Sequence, residues 1–354
     1  MNRYSRHIVL EEVGPQGQAK LSTAKVLVVG AGGLGCPILQ YLAAVGIGTL
    51  GIIDFDVVEL SNLQRQILFG TSNIGMNKAL AAKNRLEDLN PSIQIHAYPE
   101  KLTTKNALSL FECYDIIVDG SDNFATRYLV NDASIITHKP VVFGAIYKFE
   151  GQVSVFNYND GPTYRCLFPK PPKEGSIANC SEVGVIGVLP GIIGSMQANE
   201  VIKMILGFDH VLSGKLLCYD AKTTQTTTIK IAKSKTEIDN VRTLKDQYPE
   251  TLCETNVQEI SAEKALNKEN ATFIDVRERG EFPKIEVPPN LQIPLRTLEE
   301  NLNRFHANKE YIIFCQSGIR SKVAVKLLQE MDIPNCFSLQ GGALAITTQL
   351  KTKT

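Results

Sequence analysis

Short apolar runs alternate with longer helical stretches over residues 24–157. Strands are expected at Val26–Val29, Leu50–Ile53, Ile93–Ala97, Ile116–Val118 and Val141–Phe143, with helices between them. One of those helices, Asn77–Leu89, is stopped by Asn90-Pro91. Strand and helix in alternation imply a mainly parallel sheet covered by helices. Residues 158–182 are rich in Pro, Gly, Lys and Ser and read as a long loop. A buried helix, Leu189–Leu206, follows and ends before Gly207; Gly191 and Gly194 on it suggest close packing. Strands near Leu216–Tyr219 and Thr226–Ile231 close this first domain, residues 1–231. Polar and charged residues dominate 232–256, which reads as a linker. A smaller α/β unit, 257–354, has strands at Thr272–Val276, Tyr311–Phe314 and Phe337–Leu339 and a helix near Arg320–Glu330.

Residues 26–35 read Val-Leu-Val-Val-Gly-Ala-Gly-Gly-Leu-Gly, a buried strand running into a glycine turn. Gly30, Gly32 and Gly35 have the G-x-G-x-x-G spacing. The first permits a tight turn, the second lets backbone approach a phosphate, and the third lets a helix pack on the strand. Pro37 then falls near the first helical turn, where a missing N–H costs nothing. The next strand ends in Asp54, placed for a ribose hydroxyl. The expected fold is therefore a Rossmann-like α/β sheet with helices on both faces, holding a nucleotide. The turn alone does not separate a dehydrogenase from an adenylating enzyme.

The bulk numbers exclude more than they identify. The 354 residues suffice for two domains with cores of their own. Lys plus Arg and Asp plus Glu both number 37, so net charge is zero and no footprint for nucleic acid or an anionic membrane is visible. The opening Met1-Asn2-Arg3-Tyr4-Ser5-Arg6-His7 has no apolar signal segment, and no run of 18 apolar residues occurs. A cytoplasmic chain is expected. Its eight cysteines, scattered from Cys36 to Cys336, are then mostly free thiols.

Several residues suit phosphate transfer better than hydride transfer. Ser61-Asn62-Leu63-Gln64-Arg65-Gln66 follows Asp54 and Asp56 and supplies many donors. Lys78 opens a helix, where a cation and the positive end of the dipole together favour an anion. Asp119-Gly120-Ser121-Asp122-Asn123 follows the strand Ile116–Val118, and a carboxylate there suits Mg²⁺. Alone, Lys78 reads more readily as a solvated helix residue, and Asp122 equally as a helix cap or a metal ligand. Their company with the glycine turn favours the nucleotide site.

These residues, with Arg3–Arg6, Gly75-Met76-Asn77-Lys78, Tyr164–Pro169 and Cys180–Gly184, give a chain that over 3–231 resembles the MoeB/ThiF-type sulfur-carrier-protein adenylyltransferases, relatives of ubiquitin-activating enzymes. The resemblance implies that ATP binds with Gly33 near the phosphates and Asp54 on the ribose. It implies that Asn62, Arg65 and Lys78 contact phosphates, within a site drawn from Gly30, Gly32, Gly33, Gly35, Asp54, Ser61–Arg65, Lys78, Asp122 and Asn123. Asp122 would hold Mg²⁺. Arg6 would reach the site of a second subunit, implying a homodimer. The implied substrate is a small ubiquitin-like carrier ending in Gly-Gly, whose carboxylate attacks the α-phosphate. A carboxylate is already a nucleophile at pH 7, so positioned cations and no general base are what the step needs. Cys180 is either a bystander thiol or, as in part of this family, the acceptor of the activated carrier as a thioester or acyl disulfide.

Cys315-Gln316-Ser317-Gly318-Ile319-Arg320 follows a strand and precedes a helix. Backbone N–H groups at a helix start stabilise a thiolate or persulfide, and Arg320 adds positive charge; the plain alternative is a buried structural cysteine. With Ile274-Asp275-Val276-Arg277-Glu278 upstream, residues 257–354 resemble a rhodanese-type sulfurtransferase. The Cys-x4-Arg loop is one residue shorter than the loop of Cys-x5-Arg phosphatases, which suits sulfur. Ile285–Asn290 departs from the family's usual turn there. Paired, the domains imply carboxylate activation followed by sulfur transfer from a persulfide or thiosulfate donor. The expected pathway is molybdopterin synthesis, with thiamine synthesis second. An NAD-dependent oxidoreductase would have no use for Arg65, Lys78 and Asp122 together, and a tRNA-modifying dehydratase-like relative fits poorly with neutral charge and the second domain. A scaffold without chemistry fits poorly with intact motifs.

Many relatives of the first domain hold structural zinc between two Cys-x-x-Cys pairs. Here Thr163-Tyr164-Arg165-Cys166 keeps one cysteine, and Ile231–Asn240 has none. A neutral hydroxyl replaces a thiolate poorly on Zn²⁺, so no structural zinc is expected. Elemental analysis of dialysed, untagged protein should read well under one zinc per chain; stoichiometric zinc lost on Cys166→Ala would refute this.

Overall fold

Strand side chains of the larger sheet point alternately into two apolar layers. Val26 and Val28 enter one, and Leu27 and Val29 the other. A strand buried on both faces must be apolar throughout, which is why these segments read as continuous apolar runs. The structure is a computed structural model that describes residues 3–172, 184–248, 257–287, 290–306 and 308–352. The described residues form two compact units, one of residues up to Pro171 with Gly184–Tyr248 and one reaching to the C-terminal helix.

Among the described residues of the first unit, eight strands form one sheet in the order β3-β2-β1-β4-β5-β6-β7-β8. They are β1 (Lys25–Val29), β2 (Thr49–Ile53), β3 (Gln94–Tyr98), β4 (Ile116–Asp119), β5 (Val141–Tyr147), β6 (Glu150–Phe156), β7 (Lys215–Asp220) and β8 (Thr226–Lys230). The first five are parallel and the last three join antiparallel. A short N-terminal turn, α1 (Ser5–Ile8), precedes α2 (Gly14–Thr23). Helices α3 (Gly35–Val45) and α4 (Lys78–Leu89) cover one face, α5 (Ala107–Glu112) and α6 (Phe124–Thr137) the other. One-turn α7 (Tyr164–Leu167) packs beside α6, and α8 (Val188–Leu206) lies across α3, β5 and β6. Gly194 meets α3 so closely that a Cβ there would lie 2.6 Å from Leu34 O.

The fold class is the expected one, a mostly parallel α/β sheet covered on both faces. The sequence reading lacked β6, which pairs with β5 from Val141↔Phe156 to Tyr147↔Glu150. Within the stretch read as a linker, α9 (Lys235–Asp239) forms a helix capped by Ser234, whose Oγ accepts from Glu237 N at 3.4 Å.

The second unit has a parallel five-stranded sheet among its described residues, β11-β10-β12-β13-β9. Its strands are β9 (Glu259–Ile260), β10 (Thr272–Asp275), β11 (Asn290–Gln292), β12 (Tyr311–Phe314) and β13 (Cys336–Leu339). Helices α10 (Ala262–Leu266), α11 (Ile319–Glu330) and α12 (Gly342–Thr352) accompany them. The departure at Ile285–Asn290 is absorbed by packing: Ile285 and Val287 are buried, and Asn290 Nδ2 donates to Ile285 O.

Gly35 tests the turn. A Cβ on it would lie 2.0 Å from Gly30 O, whereas one on Gly32 would meet only the Gln66 side chain at 3.8 Å. Gly35→Ala should cost about 2 kcal/mol or more. Gly32→Ala should change stability by less than about 0.5 kcal/mol. Urea midpoints at constant m separate the two.

Candidate functional site

The crevice of the first unit opens where the connections from β1 and β4 diverge, the topological switch point at which α/β sheets bind ligands. Gly30 has φ 91°, a left-handed conformation. A Cβ on Gly30 would sit 3.0 Å from Gly120 O, so the turns after β1 and β4 touch through backbone. Gly33 faces α8 and Arg65 together: a Cβ there would lie 3.1 Å from Pro190 Cβ and 3.6 Å from Arg65 Cγ.

Asp54 ends β2. Its Oδ2 accepts from Ala31 N at 2.7 Å and its Oδ1 from Asp56 N at 2.8 Å. Burial pushes its carboxyl above the usual range, against those hydrogen bonds and the charge of Lys78. The residue read as a ribose ligand thus also fixes the glycine turn. Asn77 caps α4, accepting from Leu80 N, while its Nδ2 donates to Asp54 O and Asp56 O. Lys78, first in α4 and only 6% exposed, donates to Asp56 Oδ2 at 2.8 Å.

The Ser61–Gln66 segment is a tight turn. Asn62 Oδ1 accepts from Glu59 N and its Nδ2 donates to Ser61 Oγ, and Arg65 Nη1 donates to Ser61 O. Leu63 is half-buried, and Gln64 is exposed. Beyond β4, Asn123 caps α6 by accepting from Thr126 N at 2.9 Å. Asp122 is exposed, and among the described residues its carboxylate has no partner. An unengaged carboxylate at the carboxyl end of a parallel strand is the donor a Mg²⁺ ion needs.

Behind this loop Asp119, read only as the start of its segment, and Arg127, not read at all, take structural roles. Asp119 is fully buried; its Oδ1 accepts from Ser121 N and Oγ, and burial raises its carboxyl. Arg127 donates to Ser121 O at 3.3 Å and lies over the Phe143 ring. Asp119 is at the expected strand end and Arg127 in the first turn of the next helix, so position was their only signal.

Arg6 is exposed on α1. The motif around it is anchored: Arg3 Nη1 donates to Leu89 O, and Asn90 Nδ2 donates to Tyr4 OH. Cys180 lies outside the described residues.

At Cys166, where the resemblance raised the question of a structural zinc, the donor set does not fit that metal. Cys166 Sγ accepts from Thr163 N and Ser234 N, each at 3.3 Å, and Thr163 Oγ1 lies 3.5 Å away. One thiol and one hydroxyl lack the thiolates a closed tetrahedral site requires. Among the described residues no group of three His, Cys, Asp or Glu could hold a metal.

In the second unit Cys315 ends β12. Its Sγ accepts from Gly318 N at 3.1 Å. Gly318, with φ 104°, starts α11 in a left-handed conformation. Ser321 Oγ donates to Gly318 O at 2.9 Å and shares a hydrogen bond with Ser338 Oγ. Ala343 N donates to Cys315 O at 2.7 Å, and a Cβ on Gly342 would lie 2.3 Å from that oxygen. The Gly341-Gly342 turn beneath the loop was not read from sequence.

Arg320 forms a bidentate pair with Glu281 at 2.7 and 2.8 Å. Burial would raise the Glu281 carboxyl, but hydrogen bonds from Arg320 and the Glu278 backbone hold it below its ordinary value. Arg277 is buried, pairs with Asp275, and donates to Pro283 O and Gln316 Oε1. Both arginines thus brace the thiol loop.

Two family descriptions match the chain. The ThiF family description matches residues 4–240, and the rhodanese-like domain matches 260–349. The chain belongs to the ThiF family. It is 54% identical over 226 residues to the sulfur carrier protein adenylyltransferase of Thermus thermophilus, covering 62% of this chain and 83% of that one. It is 39% identical to the adenylyltransferase and sulfurtransferase MOCS3 of Culex quinquefasciatus, over 98% of this chain and 86% of that one. The probable adenylyltransferase/sulfurtransferase MoeZ of Mycobacterium tuberculosis is 38% identical, with 99% and 93% covered. Among solved structures, E. coli MccB with ATP shares the fold, with TM-score 0.59 and 24% identity over 66% of this ThiF-family chain and 72% of that one. No helix among the described residues is long and apolar enough to cross a membrane.

Proposed function

We propose that this enzyme adenylates the C-terminal carboxylate of a small ubiquitin-like sulfur carrier ending in Gly-Gly and then replaces the AMP with sulfur supplied through Cys315. The observation that carries the reading is the exposed Asp122 carboxylate beside the glycine turn, in a chain that also holds a thiol at a helix start. Near-full-length relatives named for both activities support it.

In this reading Gly33 and the turn around it face the phosphates, and Asp54 takes the ribose. Asn62, Arg65 and Lys78 contact phosphate oxygens, and Lys78 exchanges Asp56 for the ligand. Asp122 would hold Mg²⁺, which supplies neutralising charge for the triphosphate. A carrier oxygen bonds to the α-phosphorus as the bond to pyrophosphate breaks, and pyrophosphate leaves with the electron pair. Bringing two anions together is the barrier, and fixed cations lower it. Arg6, exposed on α1, completes the site of a second subunit in a homodimer.

The terminal sulfur of a persulfide on Cys315 then attacks the acyl carbon, directly or after Cys180 has taken the acyl group as a thioester. AMP, or the Cys180 thiolate, leaves. A thiol attacks the Cys315 Sγ of the resulting acyl disulfide; the S–S bond breaks, the thiocarboxylate leaves with the electron pair, and the thiol remains in a disulfide with Cys315. The Gly318 N–H stabilises the sulfur anion. The product chemistry suits molybdopterin synthesis, and the persulfide is charged from a persulfide or thiosulfate donor.

Asp122→Ala should lower carrier-dependent ATP–pyrophosphate exchange at least about a hundredfold, since a metal ligand is worth several kcal/mol. Near-normal exchange by the folded variant would remove Asp122 from the site. Cys315→Ala should abolish thiosulfate:cyanide sulfurtransfer and thiocarboxylate formation while leaving pyrophosphate exchange within about twofold. Loss of exchange as well would contradict the division of labour between the units.

A further inference from the structure

One side of α8 touches the loops after β1, β2 and β4 in turn. Its N-cap, Gly187, lies so close to the Ser61–Gln66 turn that a Cβ there would be 2.4 Å from Gln64 O. Pro190 meets the glycine turn and is the residue that a Cβ on Gly33 would strike. Gly194 packs on Leu34 O, where α3 begins. Gln197 reaches the end of β4: its Nε2 donates to Asp119 O at 2.9 Å and to Val142 O at 3.3 Å. Residues 187, 190, 194 and 197 are spaced by three or four, so they share one side of the helix.

Gln197 is a costly residue for its place. The side chain is 0% exposed, and among the described residues its Oε1 has no hydrogen-bond partner. An unpaired buried amide oxygen lowers stability, and an apolar side chain would avoid that loss. The amide also requires Gly144 on β5, where a Cβ would lie 2.2 Å from Oε1. Glycine inside a strand weakens it. Both acceptors are carbonyl oxygens, so only the donating end of the amide can face them. What these two losses secure is the end of β4. Asp119 is the last residue of β4 and of its pairing with β5.

Asp122 follows in the same loop. Among the described residues nothing holds its carboxylate, so the backbone behind it sets its place. Gly120 N donates to Val29 O, Ser121 N and Oγ donate to Asp119 Oδ1, and Arg127 Nη2 donates to Ser121 O. These bonds shape the loop around Asp119, and the Gln197 amide ties Asp119 O to α8.

We propose that Gln197 is a positioning residue for adenylation: with Pro190 on the same side of α8, it sets how far Asp122 stands from the glycine turn. The inference rests on the proposed role of Asp122 in holding Mg²⁺. Misplacing a reacting group by about 1 Å is worth about a hundredfold in rate, so loosening the end of β4 should be felt at the metal before it is felt in the fold.

The test uses the full chain with Gln197→Met, which keeps the length and removes the N–H, and with Gln197→Asn, which keeps the amide but falls one methylene short of Asp119 O. If the Met chain does not fold, the Asn chain decides. Both are compared with Asp122→Ala and with the double variant Gln197→Met/Asp122→Ala. The readouts are the urea midpoint, hydrogen exchange of the 120–122 amides in metal-free protein, ATP binding by calorimetry in EDTA and in Mg²⁺, and carrier-dependent pyrophosphate exchange. Folded Gln197 variants should exchange the 120–122 amides at least about fivefold faster. They should bind ATP in EDTA within about twofold of the parent, lose at least about fivefold of the tightening that Mg²⁺ brings, and lower pyrophosphate exchange at least about tenfold. The double variant should match Asp122→Ala within about twofold, because Gln197 acts through Asp122. A folded Gln197 variant with the parent's Mg²⁺ response would overturn the proposal. So would ATP binding in EDTA that falls as far as exchange does, or a double variant that loses exchange well beyond Asp122→Ala; either would make the amide a packing group. A parent with no Mg²⁺ response, or an Asp122→Ala chain that keeps it, removes the metal reading itself and the proposal with it. Failure of the positioning role alone leaves the Asp122→Ala loss in place.

Discussion

At the carboxyl end of β1 the backbone of Gly30 lies against that of Gly120, with no room between them for a side chain. Gly120 N donates to Val29 O and Gly30 N to Ile53 O, so three strand ends are laced together by main-chain bonds. This approach opens the crevice at the switch point and brings the loops after β1, β2 and β4 to one place. In the proposed nucleotide site each of those loops contributes one element: a glycine turn, the Asp54–Asp56 corner with Lys78, and the Asp122 loop. Any widening of the Gly30–Gly120 contact would separate all three.

Carboxylates around that crevice divide by burial. Asp54 and Asp119 are buried, saturated by backbone or hydroxyl donors, and raised in pKa by loss of solvent. They hold loops in shape. Asp122 is exposed and unengaged, which leaves it available to a metal. The thiols follow the same rule. Burial pushes Cys36 and Cys336 up to about 12, which makes them poor nucleophiles, whereas Cys315 receives an N–H at a helix start.

Elements legible in the sequence were those whose side chains alone decide their state. β1 and β12 are apolar on both faces, and α4 is framed by Asn77 and Asn90-Pro91, so pattern found them within a residue. β6 was lost because Glu-Gly-Gln-Val-Ser-Val-Phe starts polar, and its hairpin turn at Lys148-Phe149 contains no glycine although Lys148 has φ 54°. β9 and β11 have two and three residues, too few for a pattern. Site residues carried by motif were legible, but their partners were not. That Asp54 holds Ala31, Arg320 holds Glu281, and Lys78 holds Asp56 depends on contacts over 22 to 39 residues, which one-dimensional pattern does not carry.

Two chemistries with opposed needs explain why the chain uses two units. Adenylation needs a cationic crevice open to a triphosphate and a protein tail, and in the proposed site Arg65 and Lys78 supply the cations. A persulfide needs a shielded sulfur held by N–H groups and kept from stray electrophiles. Cys315 is fully buried, and its loop is braced by Arg277, Arg320 and the Ser321–Ser338 pair. Placing that thiol in the crevice would expose it to every activated acyl group and would bury charge that phosphates require. Separation solves this but makes delivery depend on the connection between the units. Within the first unit the polar stretch 232–248, which could have remained solvated, is tied down by a thiol, an ion pair and a tyrosine hydroxyl.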